Sequence, residues 1–132
     1  MTRHAKGSFS VDLVTLAVNE SVADDLRGRM SINKRFSGDL EATSVGEMLT
    51  AGTPTRGSAA YVAIERVTGT LQGRKGAFSL YHTGVMDRGA PSLSVRIVPD
   101  SGSDELAGIA GTLEIIIADG QHAYDLAYTL PE

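Results

Sequence analysis

The chain has no cysteine and no tryptophan, only four prolines, and an aromatic complement of three phenylalanines and four tyrosines. Without cysteine there is no disulfide, no thiolate nucleophile and no cysteine metal site, and nothing points to an oxidising compartment. Long apolar runs are missing as well. The longest, Ile115-Ile116-Ile117-Ala118, falls far short of the roughly 20 residues that a spanning helix needs, so no membrane span is expected. Positive charge is in deficit: 12 Lys and Arg against 16 Asp and Glu give a net charge of −4. No basic stripe is interleaved with aromatics, which argues against nucleic acid as a partner. The basic residues at the very start, Met1 to Lys6, lead into no apolar stretch of signal-peptide length, and a cytoplasmic location is expected. The three histidines, His4, His82 and His122, share no metal-ligand spacing, so neither a metal nor a cofactor is expected.

What the chain does have is glycine, 15 residues of it, spaced between short stretches in which apolar and polar residues alternate. A period of two with glycine between the segments is the pattern of strands joined by tight turns. The alternation predicts strands over residues 6–15, 30–36, 40–50, 58–71, 77–86, 92–98, 112–118 and 121–130. Residues 19–27 read as a loop or short helical turn, 51–57 and 87–91 as loops, and 72–76 as a turn. Asp119-Gly120 is a strong two-residue hairpin signal. Ser103, followed by two acids and closed by Gly108, suits one capped helical turn. At 132 residues the chain is expected to be a single domain. Eight strands of this spacing bury their faces in a sandwich or in a closed antiparallel barrel, and periodicity does not choose between them. A bulge at Gly38, Gly46 or Gly69 would switch which residues point inward.

Several segments resemble a known family: the stretch from Phe36 to Ser44, the stretch from Ile64 to Phe78, His82-Thr83-Gly84, and Gly108-Ile109-Ala110-Gly111. The resemblance is collinear from about Lys6 onward, and it is to small bacterial proteins known only as a domain of unknown function. Members of that family are classed with allene oxide cyclase as closed, meandering eight-stranded barrels. The resemblance therefore implies an all-β, eight-stranded antiparallel barrel with at most one or two short helical turns, but no activity. The apolar stretch Leu13 to Val18 departs from the family pattern and suggests a specialised opening or partner surface.

An eight-stranded barrel has room inside for side chains or for one small ligand, so polar residues that point inward are the candidates for chemistry. Glu65 and His82 fall at similar heights on neighbouring strands and would form an acid and base pair if both point inward. In an apolar cavity desolvation would raise the carboxyl pKa, and an imidazole beside it exchanges protons near neutral pH. With Arg66 next in sequence, Glu65 is equally one end of a structural ion pair. Tyr61, Glu47, Arg96 and Tyr124 are candidate ligand contacts, with Arg96 suited to a ligand carboxylate. Two functions are compatible with this set. One is a barrel that binds a small apolar or amphipathic molecule, with cofactor-independent cyclisation or isomerisation as its chemistry. The other is a non-catalytic homo-oligomeric module, dimer or trimer, acting through its outer surface. On the strand at 112–118, Leu113, Ile115 and Ile117 share one face while Ile116 and Ala118 leave apolar area on the other.

Overall fold

The computed structural model describes residues 1–18 and 27–131. The expected loop at 19–27 lies, apart from Arg27, outside the described residues. Among the described residues nine strands form: β1 (Arg3–Leu16), β2 (Arg27–Gly38), β3 (Leu40–Gly52), β4 (Ala59–Leu71), β5 (Arg74–Asp87), β6 (Ala90–Ile97), β7 (Ser103–Asp104), β8 (Ala110–Ala118) and β9 (Gln121–Thr129). All pairings are antiparallel. The ring runs β1-β2-β3-β4-β5-β6-β8-β9 and closes where β9 pairs with β1, so it contains the eight expected strands. The short β7 lies outside the ring, against β5. The barrel reading is thereby chosen over the sandwich. No strand of the ring has a free edge, except where the pairing thins at one end, as described below.

The turns are tighter than their composition suggests. Asp119 and Gly120 both have positive φ, 52° and 75°, the mirror-image turn whose twist matches that of the strands it joins. Gln72-Gly73 and Arg88-Gly89 make turns of the same kind, so β5 starts at Arg74 and β6 at Ala90, earlier than alternation implied. The capped helical turn expected at 103–108 is replaced by β7 and a turn in which Leu106 N donates to Ser103 O (3.0 Å) and Ala107 N to Asp104 O (3.2 Å). The reason is that Ser103 and Glu105 serve β5 and not a cap. Ala77 N donates to Ser103 Oγ and Lys75 N to Glu105 Oε1. There is no helix among the described residues, and so none long and apolar enough to cross a membrane.

Register runs unbroken through Gly46, which pairs with Ile32 and Glu65, and through Gly69, which pairs with Ala42 and Gly76. No bulge shifts the phase, and the inward faces follow from alternation. One end of the barrel is packed shut by Phe36, Leu40, Leu71, Phe78, Leu80, Ile97, Tyr124, Leu126 and Tyr128, with Leu106 and Ile109 from the turn after β7 as the plug. The Tyr124 hydroxyl pins the β2–β3 corner there, accepting from Leu40 N (3.0 Å) and donating to Ser37 O (2.9 Å). Its ring meets Phe36 edge-on at 5.5 Å.

The other end is different. Past Phe9, β1 leaves β9 and pairs with β2 alone. The ring is joined between β6 and β8 only at Arg96 and Thr112. The outer half of the β8–β9 hairpin therefore stands between two seams. On the inward faces at this end, Leu13 is 47% exposed, Leu93 47% and Ile117 68%. Apolar residues of the kind that seal one end of the barrel stand exposed at the other, the open end.

Candidate functional site

Four polar or charged residues are buried among the described residues, Lys34, Ser44, Glu65 and His82, and they meet at one place halfway along the barrel. Alternation turns each of them inward, and the paired register aligns them. Lys34 pairs with Ser44 on β3, Ser44 with Val67 on β4, and Ala63 with His82 on β5. Glu65 is the hub. Its Oε2 accepts from Lys34 Nζ at 2.9 Å and lies 2.8 Å from His82 Nε2, while its Oε1 accepts from Ser44 Oγ at 2.8 Å. The far side of the imidazole, Nδ1, lies 3.2 Å from the Tyr61 hydroxyl, and the two rings meet edge to face. The Lys34 ammonium is also seated over the Phe9 ring, 5.2 Å from its centroid. A chain of hydrogen bonds therefore runs from buried Lys34 through Glu65 and His82 to Tyr61, which is half-buried and nearest the open end.

The electrostatics follow from this packing. Burial pushes the Glu65 carboxyl up, but the hydrogen bond from His82 and the charge and hydrogen bond of Lys34, with Ser44 in addition, outweigh it and hold the group at about 2, against 4.5. The expectation of a raised carboxyl pKa in an apolar cavity is thereby reversed, because His82, Lys34 and Ser44 together stabilise the carboxylate more than burial disfavours it. Tyr61 is shifted the other way: burial, and then the Glu65 charge, push its phenol up, so it stays protonated. A carboxylate needs a donor, which places a proton on His82 Nε2. In the neutral tautomer that carries its proton on Nε2, Nδ1 accepts from the Tyr61 hydroxyl.

Of the residues singled out in the sequence, the structure brings together Glu65, His82 and Tyr61. It separates the other three from them. Glu47 lies on the outer face of β3, where Arg29 Nε donates to it at 2.7 Å, because Ser44 and Gly46 take the inward phase. Arg96 is exposed on the outer face of β6, since Val95 and Ile97 are the inward residues. Tyr124 points inward but at the sealed end, its hydroxyl committed to backbone. Arg66 is on the opposite side of β4 from Glu65 and donates to Ser79 Oγ and Ser101 O. The ion-pair partner of Glu65 is Lys34, which was not singled out. Its signal was present, since Lys34 occupies an inward position between Ile32 and Phe36. No group of three or more His, Asp or Glu comes together among the described residues in a way that would hold a metal.

Two surface concavities, of about 760 and 840 Å³, lie on the outside of the barrel. They share Arg29, Leu49 and Val62, and form a groove across the outer face of β2 to β5. There Val45, Leu49, Val62 and Ile64 are each more than half exposed. This groove runs directly behind the strand segments that carry Glu65 and His82 on their inner side.

The fold and site define a closed antiparallel barrel with a charged hydrogen-bond chain built into its core. The chain belongs to the DUF3224 family, whose model, described as a protein of unknown function, matches residues 5–128. It is similar to the crystal structure of a protein of unknown function from that family from Shewanella oneidensis MR-1. The two are 42% identical, with a TM-score of 0.93, over 100% of this chain and 99% of that one. No curated protein matches the chain.

Proposed function

We propose that the barrel binds a small apolar or amphipathic molecule at its open end, with the ligand's polar atom at the Tyr61 hydroxyl. The observation that carries this reading is the hydrogen-bond chain itself. Burying a lysine, a glutamate and a histidine costs several kcal/mol per ion before pairing, so an apolar core of the same volume would serve stability as well or better. What the chain adds is a route for a proton. A hydroxyl on the ligand passes its proton to Tyr61 oxygen as the Tyr61 proton passes to His82 Nδ1, and the imidazolium that results, hydrogen-bonded to Glu65, balances the negative charge left on the ligand oxygen. Such a relay, walled by Phe9, Ile32 and Val95, suits cofactor-independent isomerisation or cyclisation of an apolar substrate. A thermal-shift screen of apolar alcohols, polyenes and fatty-acid-like ligands tests it. A ligand that raises the melting temperature of the native protein and loses its effect with Tyr61→Phe or His82→Ala supports the reading. The absence of a shift with every class overturns it.

A second reading rests on a different observation, the apolar groove across β2 to β5. A contiguous exposed patch of Val45, Leu49, Val62 and Ile64 is of the kind that marks a subunit interface, in keeping with a homo-oligomeric module. Sedimentation of the native protein beside Ile64→Lys tests it. An oligomer that Ile64→Lys dissociates supports the reading, and a native monomer at high concentration removes it.

A further inference from the structure

We infer that the ligand is an uncharged alcohol, held through its hydroxyl by Tyr61, and that Gly84 is the positioning residue that seats Tyr61 for this contact. The inference rests on the small-molecule reading above and narrows it to one chemical class.

The argument begins with charge. The buried interior already contains one ammonium and one carboxylate, 2.9 Å apart, and the carboxylate's remaining contacts are filled by Ser44 and His82. Among the described residues no buried cation is left over to receive a ligand carboxylate, and no buried anion to receive an ammonium. A charged ligand would lose its hydration without compensation, a cost of several kcal/mol. An uncharged polar group escapes that cost if it finds a hydrogen bond. The atom on offer is the Tyr61 oxygen. The Glu65 carboxylate favours the tautomer with its proton on His82 Nε2; in that neutral form, taken as the premise, Nδ1 accepts from the Tyr61 hydroxyl and the phenol oxygen is free to accept from a ligand. A hydroxyl donates to it directly. A ketone cannot, unless Tyr61 gives up its bond to His82.

Gly84 is what allows this geometry. It pairs with Tyr61 across β4 and β5 and with Leu93 across β5 and β6, in mid-strand and without a left-handed φ. The backbone there makes no demand for glycine, which weakens a strand interior. The ring of Tyr61 does make that demand. A Cβ on residue 84 would overlap Tyr61 Cε1 and lie 2.8 Å from Cδ1. With only hydrogen at that position, the ring lies against the β5 backbone and its hydroxyl reaches His82, two residues away on the same face. A methyl group would lift the ring off the strand and pull the oxygen away from Nδ1.

The test uses nonanol, methyl heptyl ketone and nonanoate, titrated by calorimetry into the native protein, Gly84→Ala and Tyr61→Phe. Nonanol is expected to bind at least about tenfold more tightly than nonanoate and more tightly than the ketone. Gly84→Ala, which keeps every member of the hydrogen-bond chain, is expected to weaken nonanol about tenfold, a loss of about 1.4 kcal/mol. In the Tyr61→Phe background the alcohol's preference over the ketone is expected to disappear. Nonanoate or ketone binding as tightly as nonanol overturns the alcohol assignment while leaving the small-molecule reading intact. Unchanged nonanol affinity in a folded Gly84→Ala protein overturns the role of Gly84. Failure of all three probes to bind overturns this inference, and the thermal-shift screen over wider ligand classes then decides separately on the small-molecule reading.

Discussion

Substitution of Glu65 by Gln, of Lys34 by Met, and of both together measures how strongly the core depends on its buried pair. Glu65 is 1% exposed and Lys34 9%, with Nζ and Oε2 2.9 Å apart. Removing the carboxylate alone strands an ammonium in a low-dielectric interior, and the expected loss is about 3–5 kcal/mol. Removing the ammonium alone leaves the Glu65 carboxylate with its hydrogen bonds to Ser44 and His82. The loss for Lys34→Met is therefore smaller, about 2 kcal/mol. In the double variant no charge is stranded. A glutamine oxygen still accepts from Ser44 or His82 and methionine fills the lysine's volume, so the cost falls to about 1 kcal/mol. Urea unfolding followed by far-ultraviolet circular dichroism reads these differences as shifts of midpoint at constant slope. Additive single-site losses, or a Glu65→Gln protein within about 1 kcal/mol of the native one, would refute the claim that the pair is buried and mutually dependent.

Two further outcomes follow from the same coordinates. The folded-state pKa of Glu65, about 2, is depressed below 4.5, so its contribution to stability is fully present above pH 4.5 and is lost as the pH falls toward 2. The shift corresponds to about 3 kcal/mol, and acid unfolding of the native protein should show a stability decrement of that size that the Lys34→Met/Glu65→Gln double variant lacks. Tyr124→Phe keeps the edge-on contact with Phe36 but removes the group that accepts from Leu40 N and donates to Ser37 O. It should cost about 1–3 kcal/mol and speed amide exchange at Leu40, without changing the affinity for any ligand at the open end.

Much of this molecule was legible in the alternation of its residues, and the exceptions have definite causes. The unbroken register decides which face of β4 and β5 points inward, but the grouping of Tyr61, Ala63, Glu65 and Val67 on one face, and of Phe78, Leu80 and His82 on another, was legible. The phase of β3 was not. Between Leu40 and Met48 its inner face consists of Ala42, Ser44 and Gly46, while Val45 and Leu49 are outside, so the usual apolar-in signal is inverted there and Glu47 stood as a candidate for the cavity. Small residues are needed there because the β3 and β4 backbones approach closely: a Cβ on Gly46 would lie 2.6 Å from Glu65 Cα. Lys34 was passed over for a different reason. A lysine in a strand ordinarily reaches solvent, and its value depends on a carboxylate two strands away, a relation that exists only once β2, β3 and β4 are paired. The segment at 103–108 carried the residues of a helix cap, but those side chains bond to β5, a tertiary contact that local sequence does not encode.

The central claim is that a ligand meets this protein inside the barrel, at Tyr61 and His82, and not on its outer face. Nuclear magnetic resonance of the selectively labelled protein during titration with nonanol tests it most directly. The account predicts movement of the His82 ring-nitrogen resonances, while the methyl signals of Val45, Leu49, Val62 and Ile64 stay in place. Movement confined to those outer-face methyls, with His82 unchanged, would contradict it.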